Sequence, residues 1–298
     1  MIFRHVRVPL ISSLNLTSLV LLGVMGFRHA GIWLIAVVSA VHTLELSETM
    51  GDQLFSDAKC TLNPPPPPFS NVPDNINWRK HGNASYVTHP RDQGPSCESC
   101  YILASTAAIE SAIAVWSGVT PPTPLSFQQT VDCLRKGGGC DAGGTAPTVF
   151  DYVRYNGLMT DDDYHYRGVV QPCRYDRSKA TARVKGCVHV RTKLSSVKEA
   201  VALYGPVVVA MYVNRDKIND WSDSHFNTLY YDPNCDQKAP NHMMLIVGYG
   251  TDPDMGDFWE LKNTWGALWG RDGYLRMRRN VGSDCGIRSH VYYAVPAL

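Results

Sequence analysis

At 298 residues the chain is long enough for one large domain or two small ones sharing an interface. Lys plus Arg is 28 against Asp plus Glu at 27, a net charge of +1 with no basic run, which excludes the electrostatic footprint of a nucleic-acid partner. Nine cysteines spread along the chain point to an oxidising compartment, and an odd count leaves one thiol free.

The chain opens on Leu10–Phe27, a moderately apolar run broken by Ser12, Ser13, Asn15, Thr17 and Ser18. Arg28 and His29 then precede a cleaner apolar run, Gly31–Val41, with small residues at Ser39 and Ala40. That second run has the length and flanks of a secretory signal, and Met25 is a well-proportioned start for it. Residues 1–42 are therefore expected to be a signal peptide. The alternative is a signal anchor across Leu10–Val41, the one case in which a membrane would be a partner. Residues 43–71 are polar and end in the five-proline run Pro64–Pro68, so they are expected to be a linker or short pro-segment. Packed sequence begins at Val72, and Asn83-Ala84-Ser85 is a glycosylation sequon in an exported chain.

From Cys100 the apolar residues Ile102, Ala104, Ala108, Ile109, Ala112, Ile113 and Trp116 fall on one broad helical stripe, with Gly118 as the stop. Cys100 thus opens a helix. The unpaired N–H groups and positive dipole end there favour an anion, which predicts a thiol that ionises more readily than the ~8.5 of a free cysteine. The turns from Gly137 to Gly144 lead to a second helical pattern over Thr148–Asn156, closed by Gly157. Asp161–Asp163 and the Tyr-rich stretch to Tyr175 are loop. A short helix from Ser196 runs to Gly205-Pro206, and strands are expected at Val207–Val213, His242–Tyr249, Phe258–Lys262 and Gly273–Arg278. Helices dominate the first half (mainly 90–180) and strands the second (mainly 181–298). This predicts an α+β protein of two lobes with the site between them.

A thiolate needs a cationic partner, and that partner needs something to hold its tautomer. His242 opens one expected strand and Asn263 closes another. If the two strands are neighbours, the imidazole can bond the Asn263 amide and face Cys100 with its other nitrogen.

Gln93 to Tyr101, Cys140 to Gly144, Asn241-His242 and the block Phe258 to Gly266 with Trp269 to Tyr274 together resemble the papain-like cysteine proteases. The resemblance covers Val72 to the C-terminus. It implies a papain-like fold, with a helical lobe, an antiparallel β-barrel-like lobe and the active-site cleft between them. It also implies that Cys100 is the nucleophile, His242 its ion-pair partner and general acid, and Asn263 the residue that orients the ring. Trp265 would shield that hydrogen bond, and Gln93 would join the Cys100 N–H in binding the oxyanion. Gly143 and Gly144 would let a substrate strand approach closely. Met243 would wall and His290 would floor the pocket for the side chain two residues before the cut. Neither a cofactor nor a metal is implied, and the partners are peptide or protein substrates and inhibitors of the cystatin type.

The cysteines alone admit about 105 pairings of eight. The resemblance implies Cys97–Cys140, Cys133–Cys173 and Cys235–Cys285, and likeness to the mite cysteine-protease allergens adds Cys60–Cys187. The competing idea is a latency bond from Cys60 to Cys100. Three departures stand out. Glu98 replaces the family's Gly two residues before the nucleophile and puts charge near the first substrate pocket. Gln93 and Cys100 are one residue further apart than usual, so Pro95-Ser96 must bulge outward. Residues 43–71 are too short for the family's long inhibitory pro-region. The expected function is that of a secreted or lysosomal-type cysteine endopeptidase, because only the isolated His165 follows Gly144 where carboxydipeptidase relatives carry a histidine-rich insertion. The alternative is a catalytically inactive papain-fold binding or structural protein.

Overall fold

The computed structural model describes residues 59–134, 139–141, 143–190, 194–224 and 227–298. The expected signal segment, residues 1–42, and most of the 43–71 segment lie outside the described residues. Alanine-rich and free of proline and glycine, Cys100–Ser117 forms one helix, α1, which ends where Gly118 takes a left-handed φ of 73° and returns its N–H to the Ala114 carbonyl. The remaining helices are α2 (Phe127–Cys133), α3 (Ala146–Asn156), α4 (Leu194–Tyr204) and α5 (Arg215–Asp223). The strands are β1 (Ile76–Asn77), β2 (Val184–His189), β3 (Val207–Met211), β4 (His242–Asp252), β5 (Gly256–Lys262), β6 (Tyr274–Arg278) and β7 (Val291–Pro296). All pair antiparallel, in the order β2-β7-β3-β4-β5-β6, with β1 added to β4. The fold is α+β: α1 to α3 form a helical lobe against the sheet.

The single apolar stripe predicted for α1 understates its burial. Tyr101 through Ala112 are all buried, Ser105, Thr106, Glu110 and Ser111 included, because α1 packs on β4 and β7 as well as on α2 and α3. Ile102 and Ile109 are fully buried, each contributing about 1.5–3 kcal/mol by leaving water. The one acid among these residues has its partners supplied. Glu110 accepts from the Thr88 hydroxyl at 2.6 Å and the Leu125 N–H at 2.7 Å, and Lys262 on β5 donates to the same Thr88 oxygen at 2.9 Å. This buried chain ties α1 to β5 directly behind the residue that follows Lys262, which is Asn263. Burial pushes the Lys262 ammonium down to about 8, against the pull of Glu110, whose own carboxyl burial pushes up.

Some elements differ from the sequence reading. The second helix starts at Ala146, with Pro147 in its first turn, and the strand expected to reach Val213 ends at Met211. Short α2 is set by its cap, the Ser126 side chain accepting from the Gln129 N–H, rather than by any apolar period. The proline-rich segment is fastened down where it is described. Cys60 is bonded to Cys187, the Leu62 N–H reaches the Cys187 carbonyl at 3.3 Å, and Tyr204 donates to the Pro65 carbonyl at 3.1 Å. The other disulfides are Cys97–Cys140, Cys133–Cys173 and Cys235–Cys285, and Cys100 is a free thiol, so the Cys60–Cys100 bond is not formed.

Candidate active site

The strands that carry His242 and Asn263 are neighbours: β4 begins at His242 and pairs with β5, which ends one residue before Asn263. His242 Nε2 lies 2.8 Å from Asn263 Oδ1. The same oxygen accepts the Thr264 N–H at 2.8 Å. A backbone N–H can only donate, so the Asn263 atom is the carbonyl oxygen and His242 Nε2 must carry the proton it receives. Nδ1 is thereby left for the thiol side. Asn263 is buried, and the Trp265 ring lies 4.8 Å from the imidazole, backed by Trp269 at 5.2 Å from Trp265.

Cys100, His242, Gln93, Glu98, Gly143, Gly144, Met243 and His290 all line one cleft of about 490 Å³. Cys100 is the first residue of α1, and the backbone of Met243, Tyr101 and Cys100 itself favours its anion. Burial nevertheless pushes the thiol up, and the Glu98 carboxylate adds to the rise. For the thiol taken by itself, desolvation thus opposes the anion that the helix start favours. Burial also pushes His242 down to about 4; the Asn263 bond resists this and Arg215 adds to it. Each group taken singly is driven to its neutral form.

The wider spacing between Gln93 and Cys100 is absorbed by a turn at Pro95-Ser96, both exposed. Gln93 itself stays buried, its Nε2 donating to the Cys97 carbonyl at 2.9 Å and its Oε1 accepting from the Thr264 hydroxyl at 2.6 Å. Its N–H donates to the Thr264 carbonyl at 2.8 Å, so the loop that bears Gln93 is laced to the loop that bears Asn263. One amide hydrogen of Gln93 remains for a ligand in the cleft. Gly144 has a packing reason as well as an approach reason. A Cβ there would come 2.4 Å from the Tyr101 ring, whereas Gly143, at a left-handed φ of 61°, has open space.

His290 is exposed at the cleft, its Nδ1 3.4 Å from the Tyr292 hydroxyl, and Met243 is buried. Burial, then the neighbouring His189, hold His290 below the ordinary imidazole range. Asn83 is exposed in a turn. Arg215, Thr145, Ala210, Pro240 and Tyr292 also line the cleft and were not foreseen. Arg215 heads the mostly polar helix α5, whose buried residues Ile218, Trp221 and Ser222 do not mark Arg215 as a cleft residue.

A buried imidazole held in one tautomer thus lines the same cleft as a free thiol at a helix start, the set of groups that a cysteine peptidase needs. The sequence profile of papain family cysteine proteases matches residues 72–295. Cathepsin L of Sarcophaga peregrina is 37% identical over 232 residues, 76% of this chain and 65% of that protein; cathepsin K of Mus musculus is 34% identical over 265 residues, 83% and 77%. Digestive procathepsin L 3 of the Tenebrio molitor larval midgut superposes with a TM-score of 0.67 at 31% identity, covering 81% of this chain and 77% of that one. Bromelain of Ananas comosus, solved with the E64 inhibitor, gives 0.65 at 32%, covering 75% and 99%. The chain belongs to the papain family of cysteine proteases. It spans about 65% of the length of the Sarcophaga cathepsin L.

Proposed function

We propose that the chain is a cysteine endopeptidase that works through a Cys100–His242 ion pair. The Cys100 thiolate attacks the scissile carbonyl carbon, and Gln93 Nε2 and the Cys100 N–H hold the oxyanion. The C–N bond then breaks as the His242 imidazolium gives its proton to the leaving amine, leaving a thioester on Cys100. Water attacks the thioester, His242 takes its proton, and the acid product leaves as the thiolate–imidazolium pair re-forms. The observation that carries this reading is the His242–Asn263–Thr264 arrangement, which fixes the proton on Nε2 and frees Nδ1 towards the cleft that Cys100 lines. Because burial opposes both charges singly, the pair must ionise as a unit, each charge sustained by the other.

The substrates are peptides or proteins, and Met243 and His290 line the pocket for the residue two before the cut. Inhibitors of the cystatin type fit an open cleft of this kind. Eight cysteines held in disulfides support a secreted or lysosomal setting, where the exposed Asn83 is available for glycosylation. A second reading, a catalytically inactive papain-fold binding protein, draws on Glu98 and on burial, both of which disfavour the thiolate. An irreversible epoxide that alkylates active-site thiols separates the two. The endopeptidase reading expects wild type to be labelled and Cys100→Ser not; an unlabelled wild type would leave only the inactive reading.

A further inference from the structure

Two charged side chains in the cleft play no part in the mechanism above. Glu98 and Arg215 both line it, both are exposed, and neither forms an ion pair with a described residue. They stand on different walls. The Glu98 N–H donates to the Cys140 carbonyl at 2.8 Å, which seats Glu98 beside the segment leading to Gly143 and Gly144. The Arg215 guanidinium lies 5.8 Å from the Trp265 ring and lines a second hollow of about 320 Å³ with Gln93, Trp265 and Trp269, a hollow that none of Glu98, Gly143 or Gly144 reaches.

The chemistry orients a substrate on these walls. His242 must reach the leaving nitrogen, so the leaving half of the peptide lies on the side of His242 and Trp265, and the acyl half lies over Cys100 and the two glycines. We propose that Glu98 and Arg215 read substrate charge on the two sides of the scissile bond. Glu98 takes a Lys or Arg side chain in the acyl half, and Arg215 takes a carboxylate in the leaving half. A guanidinium with no carboxylate partner among the described residues offers a planar fork to a carboxylate, and exposed Asp141, next to Cys140, adds negative charge near the acyl wall. Asp92, an acid that lines the second hollow, has one oxygen occupied by the Gly94 N–H at 2.8 Å. The field of each residue falls on a different member of the pair, Glu98 on Cys100 and Arg215 on His242. The proposal rests on the peptidase reading for its substrate orientation.

The test is anisotropy binding of fluorescent peptides to the full Cys100→Ala chain. The peptides share their flanks and carry Lys-Glu, Glu-Lys or Leu-Ala at the centre, each with a free or an amidated C-terminus. Lys-Glu is expected to bind tighter than Leu-Ala by about fivefold for each charge read. Adding Glu98→Gln should remove the gain from Lys alone, and adding Arg215→Gln the gain from Glu alone. If amidation removes the Arg215 effect, the carboxylate read is the peptide terminus; if the effect survives amidation, it is the acidic side chain. Equal affinity for Lys-Glu and Glu-Lys, or a ranking that survives both substitutions, overturns the proposal. Charge-dependent binding together with a wild type that resists the epoxide supports the charge reading and removes the peptidase reading.

Discussion

Asn263 Oδ1 accepts two hydrogen bonds at 2.8 Å, one from His242 Nε2 and one from the Thr264 backbone, so a main-chain N–H decides the tautomer of the imidazole. The oxygen cannot be exchanged for the amide nitrogen by a flip, because the nitrogen would then face the Thr264 N–H, donor to donor. Gln93 is held from the same short segment, through Thr264 Oγ1 and the Thr264 carbonyl. Residues 263–264 thus hold both His242 and Gln93, the proposed base and the proposed oxyanion donor.

Gln93→Ala should therefore lower kcat by about 10²–10³, the usual cost of one oxyanion donor, with a much smaller change in KM. Steady-state kinetics beside a thermal melt would check this. A loss in kcat matched by a large fall in Tm would mean that Gln93 serves only to lace the two loops.

Charge removal on the two walls should move different limbs of a bell-shaped kcat/KM profile. Glu98 raises the Cys100 pKa, so Glu98→Gln lets the thiolate form at lower pH and shifts the acid limb down. Arg215 lowers the His242 pKa, so Arg215→Ala lets the imidazolium persist to higher pH and shifts the alkaline limb up. Shifts of the reverse sign would contradict the placement of both charges.

Lys262 and Glu110 meet at the Thr88 hydroxyl out of contact with water. Lys262→Met alone leaves a buried carboxylate unpaired and should cost about 3–5 kcal/mol in urea unfolding. The double change Glu110→Gln with Lys262→Met should recover most of that loss. Additive losses in the double variant would show that the two groups are not coupled.

Because burial and His189 push the His290 imidazole down from its ordinary range, its positive charge emerges only towards acid pH. Acidic residues two positions before the cut should gain acceptance over that acid range, aliphatic and aromatic ones should be taken throughout, and Arg should be disfavoured. A fluorogenic library scanned at neutral and acid pH, with His290→Ala alongside, reads this directly. Identical profiles for the two proteins would remove His290 from the specificity argument.

Much of the centre was legible because its chemistry sits in contiguous blocks. Cys100 opens a run with no helix breaker, and His242 and Asn263 sit at the ends of β-branched or aromatic strands that pair in the fold. Other features depend on tertiary neighbours and left no local trace. The all-round burial of α1 comes from β4, β7 and α3, not from its own period, and α2 is fixed by one serine cap. The upward push on the Cys100 thiol comes from its burial in the cleft and from Glu98, which a rule based on the helix terminus alone does not count. Arg215 reaches the cleft only because α5 follows β3, a placement invisible in the sequence Asn214-Arg215-Asp216-Lys217.

The central claim is that Cys100 and His242 ionise together although burial opposes each alone, and the most direct measurement is an NMR titration of the His242 imidazole in wild type and in Cys100→Ala. With the thiol removed, His242 should stay neutral until the pH falls to about 4. With Cys100 present and reduced, it should remain protonated through neutral pH beside the thiolate and lose its proton only on the alkaline side, the thiolate having formed in a separate step at lower pH. The same low midpoint in both proteins would contradict the ion pair.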